Sequence, residues 1–153
     1  SDQIRHLGVR LKHNANAAHL KDKRVILVDD SIVRGTTSTK IVEMVRNAGA
    51  KEVHMRISSP PTAHPCFYGI DTPQQSELLA AQYDLDSMAK YIGVDTLSFI
   101  SIDGLYRALS LNGRDIVTPQ YCDACFSGEY PIQLTDHDND PVQQQLSLLD
   151  EHN

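Results

Sequence analysis

The run Val25-Ile26-Leu27-Val28, closed at once by Asp29-Asp30, limits what this chain can fold into more than any other stretch. It is apolar at every position rather than at alternate ones, which suits a strand buried on both faces, as in a parallel sheet. After the acids comes Ser31-Ile32-Val33-Arg34-Gly35-Thr36-Thr37-Ser38-Thr39, a loop rich in hydroxyls with one glycine. Ile41, Met44, Val45 and Ala48 then recur at helical spacing and predict a helix that stops at Gly49. Val53 to Ile57 reads as a second strand, reached by a crossover of the length a βαβ unit needs.

The pattern continues in the same sense. Ser58 to Pro73 holds four prolines and Gly69 and reads as a long irregular loop. Helical stretches are expected near Gln75 to Gln82 and Leu85 to Ile92, a strand over Leu97 to Ile102, and a helix over Leu105 to Leu111. Strands alternating with helices indicate an α/β fold with a mainly parallel sheet. Ligands in such sheets collect beyond the carboxyl ends of the strands, which places the candidate site at Asp29, Asp30 and the loop after them.

That loop has the chemistry of a phosphate site. A helix start offers unpaired N–H groups at the favourable end of its dipole. Gly35 permits close approach, Ser31, Thr36, Thr37, Ser38 and Thr39 add hydroxyls, and Arg34 adds a fixed charge suited to phosphate. Two acids ending an apolar strand are costly unless they bind something, such as ribose hydroxyls or a hydrated Mg²⁺. A blander reading is turn chemistry for the acids and helix capping for the hydroxyls. A two-component receiver domain also opens on an apolar strand with an Asp pair. It would need a phosphoacceptor Asp after a third apolar strand and a later strand ending in Lys. Asp71 stands in the proline-rich loop and Leu97 to Ile102 runs into Asp103, so that reading fails. The spacing of a P-loop nucleotidase is also absent.

Composition narrows the class further. The 153 residues fit one domain. No apolar run is long enough for a membrane span, and Ser1 to Arg10 has no signal-peptide core. Fourteen Lys and Arg against twenty Asp and Glu argue against a duplex-coating protein, so no nucleic-acid partner is expected. A cytoplasmic location is expected instead. The acidity is concentrated in the last segment, where Asp136, Asp138, Asp140, Asp150 and Glu151 meet no Lys or Arg. With Gln133 and Gln143 to Gln145, residues 131–153 read as an acidic, Gln-rich mobile tail after a folded part at 1–130. Gln143 to Leu149 has the pattern of a short amphipathic turn. Three cysteines are too few, and odd in number, for a secreted disulfide scaffold. Cys122-Asp123-Ala124-Cys125 is a C-x₂-C pair for which zinc, redox chemistry and coincidence all compete. A single Cys66 is most often a buried small hydrophobe. None of the remaining histidines, His6, His13, His19, His54, His137 and His152, has metal-ligand spacing, and His64 beside Pro65 reads as a loop residue.

Val25 to Thr37, V-I-L-V-D-D-S-I-V-R-G-T-T, resembles the phosphoribosylpyrophosphate signature of type I phosphoribosyltransferases. Its Arg34-Gly35-Thr36-Thr37 ending resembles the form found in the glutamine phosphoribosylpyrophosphate amidotransferase family, also called amidophosphoribosyltransferases. Gly8 to Lys12 (G-V-R-L-K), Ser59 to Asp71 (S-P-P-T-A-H-P-C-F-Y-G-I-D) and Tyr121 to Pro131 (Y-C-D-A-C-F-S-G-E-Y-P) agree, so the similarity covers roughly Ile4 to Pro131. The resemblance implies a parallel-sheet type I phosphoribosyltransferase fold, incomplete at its N-terminal side. It implies that Asp29 and Asp30 contact ribose hydroxyls and Mg²⁺, and that Ser31 with Arg34, Gly35, Thr36, Thr37 and Ser38 holds the 5′-phosphate. Arg10 and Lys12 either line the same phosphate-rich site or belong to a solvated face.

The implied reaction, the first step of de novo purine synthesis, displaces pyrophosphate with ammonia drawn from glutamine and yields 5-phosphoribosylamine. Purine nucleotides are implied as inhibitors and a homo-oligomer as the parent assembly. One branch of the family carries a structural 4Fe-4S cluster, and Cys66, Cys122 and Cys125 match three of its ligand positions. A fourth is expected upstream of Ser1, with His64 a substitute if zinc were bound. Neither the glutaminase part nor the mobile catalytic loop is visible in the sequence. The chain is therefore expected to be a C-terminal fragment that is inactive alone. The alternative is a non-catalytic phosphate- or nucleotide-binding module that needs a partner chain.

Overall fold

A computed structural model describes residues 15–132. The Gly8 to Lys12 stretch with Arg10 and Lys12, the tail from residue 133 onward with its Gln143 to Leu149 turn, and His6, His13, His137 and His152 lie outside the described residues. The elements run α1 (Ala17–Leu20), β1 (Arg24–Asp29), α2 (Thr36–Asn47), β2 (Glu52–Ile57), a 3-10 turn (Gln75–Glu77), α3 (Leu79–Gln82), α4 (Leu85–Ile92), β3 (Thr96–Phe99), α5 (Ile102–Ala108) and α6 (Ala124–Ser127). The strands form one parallel sheet in the order β1-β2-β3, with Val25 beside Val53, Leu27 beside Met55 and Met55 beside Leu97. The α/β fold with a parallel sheet is thus the one expected. Among the described residues no helix is long and apolar enough to cross a membrane.

One face of the sheet makes the core. Val53, Met55, Ile57 and Leu97 are buried there against Val42 and Val45 of α2 and Met88 and Ile92 of α4. Each such side chain contributes about 1.5–3 kcal/mol by leaving water. Arg46, near the end of α2, fastens the layers: its guanidinium donates to the Gly93 carbonyl at 2.8 Å and to Asp95 at 3.0 Å, while Asp95 accepts the Val53 N–H at 2.7 Å. Gly93 takes the left-handed conformation (φ 87°) that ends α4.

The other face departs from expectation. β1 is not buried on both sides: Ile26 and Val28 are 63% and 76% exposed. The reason is geometric. The packed helices α2 and α4 lie on the face of Val53 and Met55, and among the described residues no apolar side chain covers Ile26 or Val28. Beside them the same face turns polar, with His54 hydrogen-bonded to Thr96 at 2.9 Å and to Glu52 at 3.1 Å.

The third strand is also shorter than its apolar run. It ends at Phe99, and Ser101 accepts the Gly104 N–H to cap α5, which begins at Ile102. Capping by a serine hydroxyl wins over strand propensity at the tail of the run.

Candidate functional site

β1 delivers Asp29 and Asp30 to the carboxyl end of the sheet, and the chain turns there through local bonds. The Asp30 N–H donates to Asp29 Oδ1 at 3.0 Å, and the Ser31 N–H donates to Asp30 Oδ1 at 2.7 Å. Turn chemistry therefore uses one oxygen of each carboxylate. It leaves Asp29 half-buried and Asp30 exposed at the mouth of a cleft. Ile32, 2% exposed, plunges into the core and fixes the middle of the loop.

The helix that follows begins without a side-chain cap. Its N-cap is Gly35, in the left-handed region at φ 76°, so no hydroxyl covers the first N–H groups of α2. A Cβ at Gly35 would stand 2.8 Å from Leu79 Cδ2 and 3.2 Å from Tyr91 Cε1. Glycine is thus required twice there, by backbone conformation and by close packing. The Thr39 hydroxyl donates back to the Gly35 carbonyl at 3.0 Å and tightens the first turn. This back-bond engages the Thr39 hydroxyl, and neither Thr36 nor Thr37 is used in that way.

Asp29, Asp30, Ser31, Arg34, Gly35, Thr36, Thr37 and Ser38 line one cleft of about 340 Å³. Every residue of the expected phosphate site is brought together, though two differ in detail. Ser38 is 3% exposed and forms floor rather than rim. Arg34 does not point its whole guanidinium into the opening: Nε donates to Glu77 Oε2 at 2.7 Å, and Nη2 contacts the same oxygen. Glu77 lies 43 residues further along the chain. No motif or periodicity signals that pairing, because the 3-10 turn carrying Glu77 reaches Arg34 only through the fold.

A second assembly forms around the cysteines. The N–H groups of Ala63 and His64 both donate to the Cys125 carbonyl at 3.1 Å, and the Tyr130 hydroxyl donates to the Pro65 carbonyl at 2.7 Å. Phe67 and Tyr130 pack with ring centroids 5.1 Å apart. The Cys66 loop and the C-x₂-C segment are therefore zipped together. Cys66 is half-buried rather than core, and Cys122 is exposed. Burial, then the nearby Cys66 and Cys122, push the Cys125 thiol up from its ordinary value. The thiols share a neighbourhood, but among the described residues no three donor side chains stand as a group that could hold a metal ion. As placed, they are not a closed ligand set. A cleft of about 520 Å³ runs along this loop past His64, Cys66 and Tyr130.

Asp123, inside the C-x₂-C, holds that segment in place. Its carboxylate accepts from Arg114 Nε at 2.5 Å, the Tyr106 hydroxyl at 2.9 Å and the Ser127 hydroxyl at 2.8 Å. Burial opposes ionisation of Asp123, yet the donors outweigh it and keep its carboxyl below the ordinary carboxylate range. Only the four-residue spacing of Asp123 and Ser127 hinted at this from sequence.

No family model matches the chain. Individual proteins do. It is 55% identical over 150 residues to an amidophosphoribosyltransferase of Rhizobium etli, covering 97% of this chain and 30% of that protein. It is 51% identical over 134 residues to the Bacillus subtilis amidophosphoribosyltransferase, covering 88% and 28%. Among solved structures, the B. subtilis glutamine phosphoribosylpyrophosphate amidotransferase complexed with ADP and GMP superposes with a TM-score of 0.76 at 49% identity, over 90% of this chain and 30% of that one. The chain thus spans about 30% of the length of these relatives. In sequence and in its partial, parallel-sheet phosphoribosyltransferase fold, the chain belongs with the amidophosphoribosyltransferases, matching that span of them.

Proposed function

We propose that this chain carries the phosphoribosylpyrophosphate-binding loop of an amidophosphoribosyltransferase. The observation that carries the reading is the cleft itself: an uncapped helix start and two strand-end carboxylates facing one opening. The 5′-phosphate is assigned to the backbone N–H groups of Thr36, Thr37 and Ser38 and the hydroxyls of Thr36 and Thr37, where helix dipole and donors converge. Ser31 and Arg34 border the same anion. The free oxygens of Asp29 and Asp30 suit the ribose hydroxyls. They also suit a hydrated Mg²⁺, which keeps most of its waters and takes one or two carboxylates; bound there, the ion would neutralise charge on the pyrophosphate.

The reaction proposed is replacement of pyrophosphate at the anomeric carbon by ammonia from glutamine, giving 5-phosphoribosylamine. In it this chain's residues bind and orient the phosphoribosyl group. Catalytic contacts are not assigned to any of them. The same anion chemistry supports a second reading, a nucleotide-binding module, since the B. subtilis relative was solved with ADP and GMP. Calorimetric titration separates the possibilities. Phosphoribosylpyrophosphate with Mg²⁺ should bind the wild-type chain, and Asp30→Asn should weaken it about tenfold or more, the loss of one charge-assisted contact. Unchanged binding in Asp30→Asn rejects the site. Binding of GMP without phosphoribosylpyrophosphate favours the module.

The thiols support a subsidiary proposal, a 4Fe-4S cluster taking Cys66, Cys122 and Cys125, three of the usual four thiolates. Iron and sulfide analysis after anaerobic purification checks it, and stoichiometric zinc, or no metal once the fourth ligand is restored, overturns it.

A further inference from the structure

Among the described residues that line the phosphate cleft, Arg34 is the only Lys or Arg, and its partner is a carboxylate from outside the cleft. Arg34 Nε and Nη2 both turn to Glu77 Oε2. Arginine grips a phosphate best through two parallel donors on one edge of its fork. Glu77 occupies one such edge and leaves Nη1 and the outer hydrogen of Nη2 for an anion. It also adds negative charge beside a site already bordered by Asp29 and Asp30.

The pair is held in place by its surroundings. The Leu79 N–H, two residues past Glu77, donates to the Val33 carbonyl at 2.8 Å, one residue before Arg34. Gly35 is seated against Leu79 and Tyr91. The segments bearing the two charges are thus stapled together on both sides. The side chains themselves are 49% and 47% exposed, so water screens the pair and it adds little to stability. Its effect falls on the charge presented to the cleft.

We propose that Glu77 is a positioning residue that restrains Arg34 and lowers the affinity of the cleft for phosphate monoesters, so that bound phosphate is released readily. This rests on the phosphate reading of the cleft. Glu77→Gln keeps an acceptor oxygen beside Arg34 but removes the charge, and the exposed pair tolerates the change. Ribose 5-phosphate is titrated calorimetrically into the full 153-residue chain, as wild type, Glu77→Gln, Arg34→Ala and the double variant, with Thr37→Ala as the control for the cleft. Glu77→Gln is expected to bind about threefold to fivefold more tightly than wild type. The gain should shrink at high salt and should be at least halved in the Arg34→Ala background. A purely structural ion pair would show neither dependence. Binding that is unchanged or weaker in Glu77→Gln, or an equal gain without Arg34, overturns the proposal. If wild type does not bind, or Thr37→Ala binds as well as wild type, the phosphate reading falls and this proposal with it. If Thr37→Ala weakens binding while Glu77→Gln fails to tighten it, only the role of Glu77 is lost.

Discussion

Gly35 concentrates the demands of the site in one residue. Its φ of 76° lies where a side chain is strained, and a Cβ would press on Leu79. Gly35→Ala should therefore lower stability by about 1–3 kcal/mol, read from a urea midpoint, and should weaken ribose 5-phosphate binding because the helix start moves. A neutral substitution would show that the loop has room this geometry denies. The glycine, the Asp pair and the threonines were legible in the sequence because local bonds build the turn: each acid engages the next residue's N–H. Glu77 was not legible. Its contact with Arg34 is made across 43 residues, by the fold that brings the 3-10 turn Gln75–Glu77 against the loop after β1, and no local spacing records it.

Among the elements, the C-terminal segment shows where sequence reading stops. α6, only four residues long, is defined less by propensity than by Asp123, whose carboxylate gathers Arg114, Tyr106 and Ser127. Arg114 is raised in pKa by its bonds to Asp123 and Glu129 and stays charged. Removing Asp123 takes away the buried partner of Arg114 and leaves it only the largely exposed Glu129. Asp123→Asn should cost about 3–5 kcal/mol in chemical denaturation. The sign of the pH effect follows from the depressed carboxyl: its stabilisation is full above the ordinary carboxylate range and is lost as pH falls through the lower native value. Wild type should therefore lose more stability than Asp123→Asn between neutral pH and about pH 3. Equal losses would assign acid sensitivity to other groups, such as Asp95, which the Val53 N–H and Arg46 also hold low. The regular elements fared better in sequence. α4 spans the expected Leu85–Ile92 because Asp84 caps its start and Gly93 its end. α2 begins earlier than its apolar face, because uncapped polar residues form its first turn.

At the scale of the molecule, the bare side of β1 is the main departure from a finished parallel sheet. Ile26 and Val28 expose an apolar strip on a strand whose outer edge pairs with nothing among the described residues. Such an edge is sticky. The chain should bind a hydrophobic dye, and the double change Ile26→Thr and Val28→Thr should reduce that signal with about 1 kcal/mol or less of lost stability, since neither side chain is buried. Retained dye binding would place the sticky surface elsewhere. Periodicity alone expected β1 to be buried on both faces. An apolar run records what a strand is built to meet, whereas exposure records what is packed on it here.

Amide NMR shows whether the cleft after β1 holds the phosphate. Titrating ribose 5-phosphate into the ¹⁵N-labelled chain should shift the Gly35, Thr36 and Thr37 amides most, in a saturable manner. Shifts centred on the cleft beside Cys66 and Tyr130, with the Gly35 to Thr37 amides unmoved, would contradict it.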